Sequence, residues 1–323
     1  MEPIKGLHHV TAVTRDAQRN VDFYRNVLGQ RLVKKTVNFD SPDTYHLYFA
    51  DETGTPGTVL TFFAWQHVKR GVRGNGETAT VAYNVPSGSI GFWRDYLTNK
   101  GITAYPIEQR FGMEVLSFDD PDGMRVELVE ADIPPDVHYW EMGPIPQEHI
   151  LNGFHSVTLW LEETDLTADL LVNQMGYSFV RQEGNRHRFM GGINSLASTL
   201  DILHRPAQPE EIPEEAVFGG GSIHHIAFRV PTAEMQLEYQ STLRAGGYGV
   251  TPVRDRNYFH SIYYREPGGV LFEIATEGPG FAIDEPVDTL GESLRLPEWF
   301  EPNRSAIEQD LPPITLRPFE KVK

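Results

Sequence analysis

One short unit recurs four times along the chain at a spacing of roughly 70 residues, a longer period than that of the common solenoid repeats, and this recurrence limits the folds open to it. Each unit reads as a strand, an amphipathic helix and hairpin strands. The first begins at 7–13, continues as a helix around 20–28 with Val21, Tyr24, Val27 and Leu28 at helical spacing and Gly29 as its stop, and ends in strands at 45–49 and 58–63. The second takes strands at 78–85, 114–118 and 125–129 with a helix near 90–99; the third has strands at 154–159 and 199–203 and a helix near 166–175. The fourth has strands at 223–230, 258–264 and 270–275 and a helix near 233–245. Prolines between Ile133 and Pro146 predict a boundary. We therefore expect an α+β protein of four βαβββ modules forming curved mixed sheets, in two tandem domains, 1–132 and 153–278, with a linker at 133–152. The tail, 279–323, is expected to lie over the surface and cover the site, with a short helix near 304–310.

Two of the first strands carry a histidine pair, His8-His9 and His224-His225, among β-branched and apolar residues. Successive side chains of a strand point to opposite faces, so one histidine of each pair can face a given site. A Pro267-Gly268-Gly269 turn feeds a further strand in which Glu273 sits among Val270, Leu271, Phe272 and Ile274. A carboxylate there is costly to bury unless it is paired or metal-bound. Two histidines and a carboxylate with open positions opposite them are the ligand set of non-haem Fe(II) oxygenases.

Composition narrows the alternatives. The chain of 323 residues contains no cysteine, which excludes thiolate ligands, iron–sulfur clusters, disulfides and cysteine nucleophiles. Its 28 basic against 45 acidic residues give a net charge of −17, which opposes nucleic acid and anionic membrane surfaces and favours small molecules or other protein chains as partners. No apolar run approaches membrane-spanning length and no signal region precedes the first strand, so a cytoplasmic location is expected.

The paired modules, with a His-bearing first strand and a carboxylate on the last, resemble the vicinal oxygen chelate superfamily of glyoxalases, bleomycin-binding proteins and extradiol dioxygenases. Within it, the segments Leu7-His8-His9, Tyr45-His46-Leu47-Tyr48, Gly54-Thr55-Pro56-Gly57-Thr58, Gly153-Phe154-His155-Ser156, Glu183-Gly184-Asn185-Arg186-His187-Arg188, His224-His225 and Phe272-Glu273 are similar to those of hydroquinone ring-cleaving dioxygenases. The resemblance implies Fe(II), with Mn(II) as the alternative ion, held by His9, His225 and Glu273. It implies a small aromatic substrate and O2, and a homo-oligomer. It places His8, Thr11, His224, Arg256 and Tyr263 in the pocket, His8 and His224 as acid–base groups.

Strand alternation instead sets His8 and His224 behind the ligands, and a bulge would reconcile the two readings. In isolation Arg256 reads as part of a solvated charged turn and Tyr263 as a packing aromatic. Glu127, His155 and Asp201, at matching places in the other two units, read as a relic of duplication, a second metal site being the alternative. Asn185-Arg186-His187-Arg188 reads as a solvated hairpin face or an interface. A catechol-type extradiol dioxygenase and a glyoxalase-like isomerase or binding protein are the competing functions.

Overall fold

The structure is a computed structural model that describes residues 2–131, 138–192, 196–206, 215–319 and 321–322. The start of the expected linker and the acidic loop at 207–214 lie outside the described residues. Four βαβββ modules follow one another. The first comprises β1 (Leu7–Thr14), α1 (Ala17–Val21), β2 (Arg31–Asn38), β3 (Ser41–Ala50) and β4 (Val59–Ala64). The second comprises β5 (Glu77–Val85), α2 (Ser89–Asn99), β6 (Glu108–Arg110), β7 (Met113–Asp119) and β8 (Arg125–Glu130). The third comprises β9 (Phe154–Leu161), α3 (Asp165–Asp169), β10 (Ser178–Glu183), β11 (Arg186–Met190) and β12 (Thr199–His204). The fourth comprises β13 (Ile223–Val230), α4 (Ala233–Ala245), β14 (Arg254–Asp255), β15 (His260–Arg265) and β16 (Leu271–Thr276), and α5 (Arg304–Asp310) lies in the tail.

Within each module the first strand runs parallel to the last, and two antiparallel hairpin steps complete the set. The modules then join in two eight-stranded sheets, β14-β15-β16-β13-β1-β4-β3-β2 and β10-β11-β12-β9-β5-β8-β7-β6. Modules one and four share the first sheet and modules two and three the second. Each of the segments 1–132 and 153–278 thus gives one module to each sheet. First strands meet antiparallel at both centres, β1 on β13 and β5 on β9.

Helices one and three run on into π-helical turns, Asp22–Val27 and Leu170–Gln174. The wider turn ends with Leu28 N–H bonded to Phe23 C=O at 3.0 Å. Gly29, at φ 74°, then turns the chain in a conformation that a β-carbon would strain. The main core packs Leu7, Val10 and Leu60 of the first sheet with Val81, Val157 and Leu200 of the second, around Tyr24, Trp93 and Phe154.

Strand β2 escapes sequence reading because Lys34 and Thr36, which are polar, are fully buried. Lys34 Nζ lies 2.6 Å from Asp284 and 2.5 Å from Glu285, both in the tail, and 4.9 Å from the Tyr258 ring centroid. Arg295 also reaches Glu285, at 3.2 Å. The tail is therefore more than a surface strap: Phe281 and Leu290 enter a buried cluster with Tyr48, Val59, Ala227, Tyr258, Phe259 and Ala275 on the inner face of the first sheet.

Removing one member of a buried ion pair leaves the other charged and desolvated, at a cost of about 3 kcal/mol. Lys34→Met is accordingly expected to lower stability by about that amount in urea denaturation, and adding Asp284→Asn and Glu285→Gln to recover part of it.

Candidate metal centre

The central join of the first sheet assembles the site. His225 on β13 stands opposite Thr11 on β1, and Ala227, opposite His9, is also opposite Glu273 on β16. Cross-strand partners share a face, so His9, His225, Glu273 and Thr11 all point inward. The pairing slips between Leu7 and His9, and again where Thr11 and Ala12 face His225 and Ile223. These bulges fall at His8 and His224, the residues for which strand alternation and the resemblance disagree.

His9 Nε2 lies 3.3 Å from His225 Nε2 and 3.4 Å from Glu273 Oε2, and His225 Nε2 lies 2.9 Å from the same oxygen. All three side chains are buried, Glu273 completely. Glu273 Oε1 accepts a short hydrogen bond from Ser261 Oγ, whereas Oε2 has no geometrically sound hydrogen-bond donor. Burial alone would raise the Glu273 pKa, but positive charge at the His9 and His225 positions holds it well below the usual carboxylate range.

The Nδ1 atoms of His9 and His225 face the bulged histidines. His8 Nδ1 is 2.9 Å from His9 Nδ1, and His224 Nδ1 is 2.7 Å from His225 Nδ1. Ligation would require the tautomers in which His9 and His225 donate from Nδ1–H, His8 and His224 accept, and the Nε2 atoms of His9 and His225 present lone pairs toward Glu273. Two lone pairs and a carboxylate oxygen crowded together without a proton between them fit a divalent cation. Among the described residues, His9, His225 and Glu273 are the group whose donor atoms are close enough to hold a metal, all within 4.8 Å of one another.

A cavity of about 210 Å³ opens beside these atoms. Its walls are aromatic, with Tyr48, Phe63, Trp65, Phe259 and Tyr263, and its polar groups include His46, His224, Asp40 and Arg256. Arg256 donates from Nε to Tyr263 Oη at 3.1 Å and pairs with Asp40 at 3.0 Å. Burial raises the Tyr263 phenol pKa, so it stays protonated at neutral pH. Arg256, Tyr263 and His224 thus reach the cavity, whereas His8 and Thr11 lie behind it: His8 packs on Phe259 at 4.9 Å and is 2% exposed. Burial brings both His8 and His224 down to about 3, which leaves them neutral.

His46 is a cavity residue that sequence reading had not singled out. Tyr48 O–H donates to its Nδ1 at 2.9 Å, its Nε2–H donates to Thr61 Oγ at 2.8 Å, and Thr61 O–H donates to Thr11 Oγ at 2.9 Å. Thr11 is therefore the end of a chain that fixes the His46 ring. The signal for it was strand parity: His46 and Tyr48 alternate onto one face of β3, but only pairing with β4 shows that this is the inner face.

In the second sheet, the join of β5 and β9 puts Thr80, Ser156 and Asp201 at the places of His9, His225 and Glu273. Arginines occupy the carboxylates there. Arg188 donates twice to Asp201 at 2.8 and 2.9 Å, Arg186 once at 3.2 Å, and Arg110 binds Glu127 at 2.7 and 3.2 Å. Arg186 and Arg188 are therefore not a solvated hairpin face. His155 contacts Ser156 Oγ, and burial with nearby Arg188 brings its pKa down to about 4. Guanidinium groups stand where the first sheet gathers His9, His225 and Glu273.

This fold and donor set define a class, and comparison with known families agrees. Residues 6–128 and 153–274 match the model of the Glyoxalase/Bleomycin resistance protein/Dioxygenase superfamily, and the chain belongs to it. Over 317 residues it is 45% identical to an inferred ring-cleaving dioxygenase, MhqO, of Bacillus subtilis strain 168, with 98% of each chain covered. It is 36% identical over 299 residues to a chlorohydroquinone/hydroquinone 1,2-dioxygenase of Sphingobium indicum, covering 91% of this chain and 92% of the relative. The crystal structure of an inferred dioxygenase from Bacillus subtilis superposes with a TM-score of 0.92 at 44% identity, covering 98% of this chain and 99% of that one. Glyoxalase I from maize shares the fold, with a TM-score of 0.61 at 13% identity over 84% of this chain and 92% of its own.

Loss of a group that orients a metal ligand costs roughly 10–100-fold in affinity. Ser261→Ala is expected to weaken Fe(II) or Mn(II) binding by about that factor, and Glu273→Ala or His225→Ala to abolish it, as read by anaerobic metal titration.

Proposed function

We propose that the chain is a metal-dependent ring-cleaving dioxygenase acting on hydroquinone-type rings, with Fe(II) as the ion and O2 as co-substrate. The observation that carries this reading is the buried Glu273 Oε2, which has no sound donor, facing two histidine Nε2 atoms at the edge of an aromatic-walled cavity. The relatives named as ring-cleaving and hydroquinone dioxygenases support the substrate class. Held by His9, His225 and Glu273, the ion would bind and acidify a substrate hydroxyl and bring ring and O2 together, removing the entropy cost of their encounter.

The protein's own groups set the rest. Phe63, Trp65 and Phe259 give a flat ring apolar walls and exclude water from it. Beside His225, protonated Tyr263 and the Arg256 guanidinium supply hydrogen bonds to charge developing on oxygen. His224 has its Nδ1 occupied by His225, so it meets the substrate with Nε2–H and donates a hydrogen bond rather than serving as a free base. His8 holds the His9 ring in the tautomer that ligation requires and has no path to the substrate.

Oxygen uptake by anaerobically Fe(II)-loaded protein tests the proposal, with hydroquinone, methylhydroquinone, chlorohydroquinone and catechol in parallel. Uptake matched to loss of a hydroquinone and absent in His225→Ala is the expected result. Uptake with catechol alone would assign the catechol-type reaction instead, and no uptake with any ring would point to an isomerase or binding role. Removing a preorganised donor to developing charge costs roughly 10²–10³ in kcat. Tyr263→Phe is expected to lose a comparable factor while retaining metal and fold.

A further inference from the structure

A second cavity, of about 340 Å³, lies on the other side of His224 from the metal centre. His224 lines both cavities. Phe218 stands in the partition, its ring centroid 5.5 Å from that of His224 and 6.0 Å from that of Trp65, and it is 50% exposed. The two chambers differ in chemistry. The charge of Arg256 at the first is met by Asp40.

The second is lined by two charged side chains, Glu77 and Arg265. Glu77 is occupied, 3.6 Å from Arg73 and accepting from Gly74 N–H at 3.1 Å. Arg265 donates from Nη1 to Gly269 C=O and makes no ion pair among the described residues. Thr78, 3% exposed, borders this chamber and a neighbouring cavity, and its buried Oγ has no hydrogen-bond partner among the described residues. A guanidinium and an unpartnered hydroxyl on one chamber are donors for a carboxylate.

The reaction proposed above makes such a group. O2 breaks the bond between a hydroxyl-bearing ring carbon and its neighbour. Each carbon gains one oxygen atom, the first becoming a carboxylic acid and an unsubstituted neighbour an aldehyde. Both atoms of O2 enter the product, no outside reductant is needed, and the acid releases its proton to water. A neutral ring therefore enters and an open-chain anion leaves. Resting on that reading, we propose that the chamber beyond His224 and Phe218 is a binding site for the carboxylate of the ring-opened product, with Arg265 and Thr78 as its anchors.

The probe is cis,cis-muconate, an open-chain six-carbon dicarboxylate, titrated calorimetrically into metal-loaded protein. Arg265→Gln is expected to weaken binding at least about tenfold, the scale of one charge-assisted hydrogen bond. Thr78→Val should weaken it by less, and Arg265→Lys should retain part of it, with metal content and melting temperature checking that each variant is folded. Equal affinity in wild type and Arg265→Gln, or no binding to wild type, would overturn the assignment. So would binding that survives Arg265→Gln but vanishes on metal removal, because the ion would then be the binding group. Arg265-dependent binding in a protein that consumes no hydroquinone would sustain a carboxylate site while removing the ring-cleavage reading, so the two fail separately.

Discussion

The antiparallel meeting of β1 and β13 is the constraint on which the rest depends. It joins residues more than 200 positions apart in sequence and is the step that brings His9 within 3.3 Å of His225. Its bulges at His8 and His224 let adjacent histidines act together, one presenting Nε2 inward and the other accepting its Nδ1–H. Without those bulges, strict alternation would send each second histidine to the opposite face and leave the ligand tautomers undefined. Glu273 enters through the neighbouring parallel pairing, and Ser261 orients it from the next strand.

The same architecture is used twice, with opposite electrostatic solutions. In the first sheet two imidazoles and one carboxylate converge, a donor set that fits a cation. In the second, Thr80, Ser156 and Asp201 occupy those places, and Arg186 and Arg188 bring positive charge covalently attached to the chain. A buried carboxylate demands compensation in either case. In one half two histidines face Glu273 beside a cavity, and in the other the chain's own guanidinium groups meet the demand.

The tail contributes by closing the inner face beyond the cavity. Phe281 packs against Tyr48 and Tyr258, and Asp284 and Glu285 meet Lys34. Because Tyr48 holds His46, and His46 leads through Thr61 to Thr11, the tail is mechanically continuous with the cavity wall. An apparently irregular extension is thus part of what sets the cavity's shape.

The sequence by itself determined the modules and most helix and strand positions, because each is written locally. Helical spacing marked 233–245, glycine marked the helix stops, and a carboxylate inside an apolar strand marked Glu273 as a group needing a partner. Local patterns fail where burial is decided by a distant segment. Strand β2 was hidden because Lys34 is polar, and its burial makes sense only with Asp284 and Glu285 beside it. Arg186 and Arg188 looked solvated until β12 set Asp201 against them. Which modules share a sheet, which face of β3 turns inward with His46, and which of His8 and His224 reaches the cavity were settled by strand pairing across the whole chain. Pairing register is a long-range property: it fixes the face of every residue on a strand, and no stretch of the strand's own sequence encodes its partner.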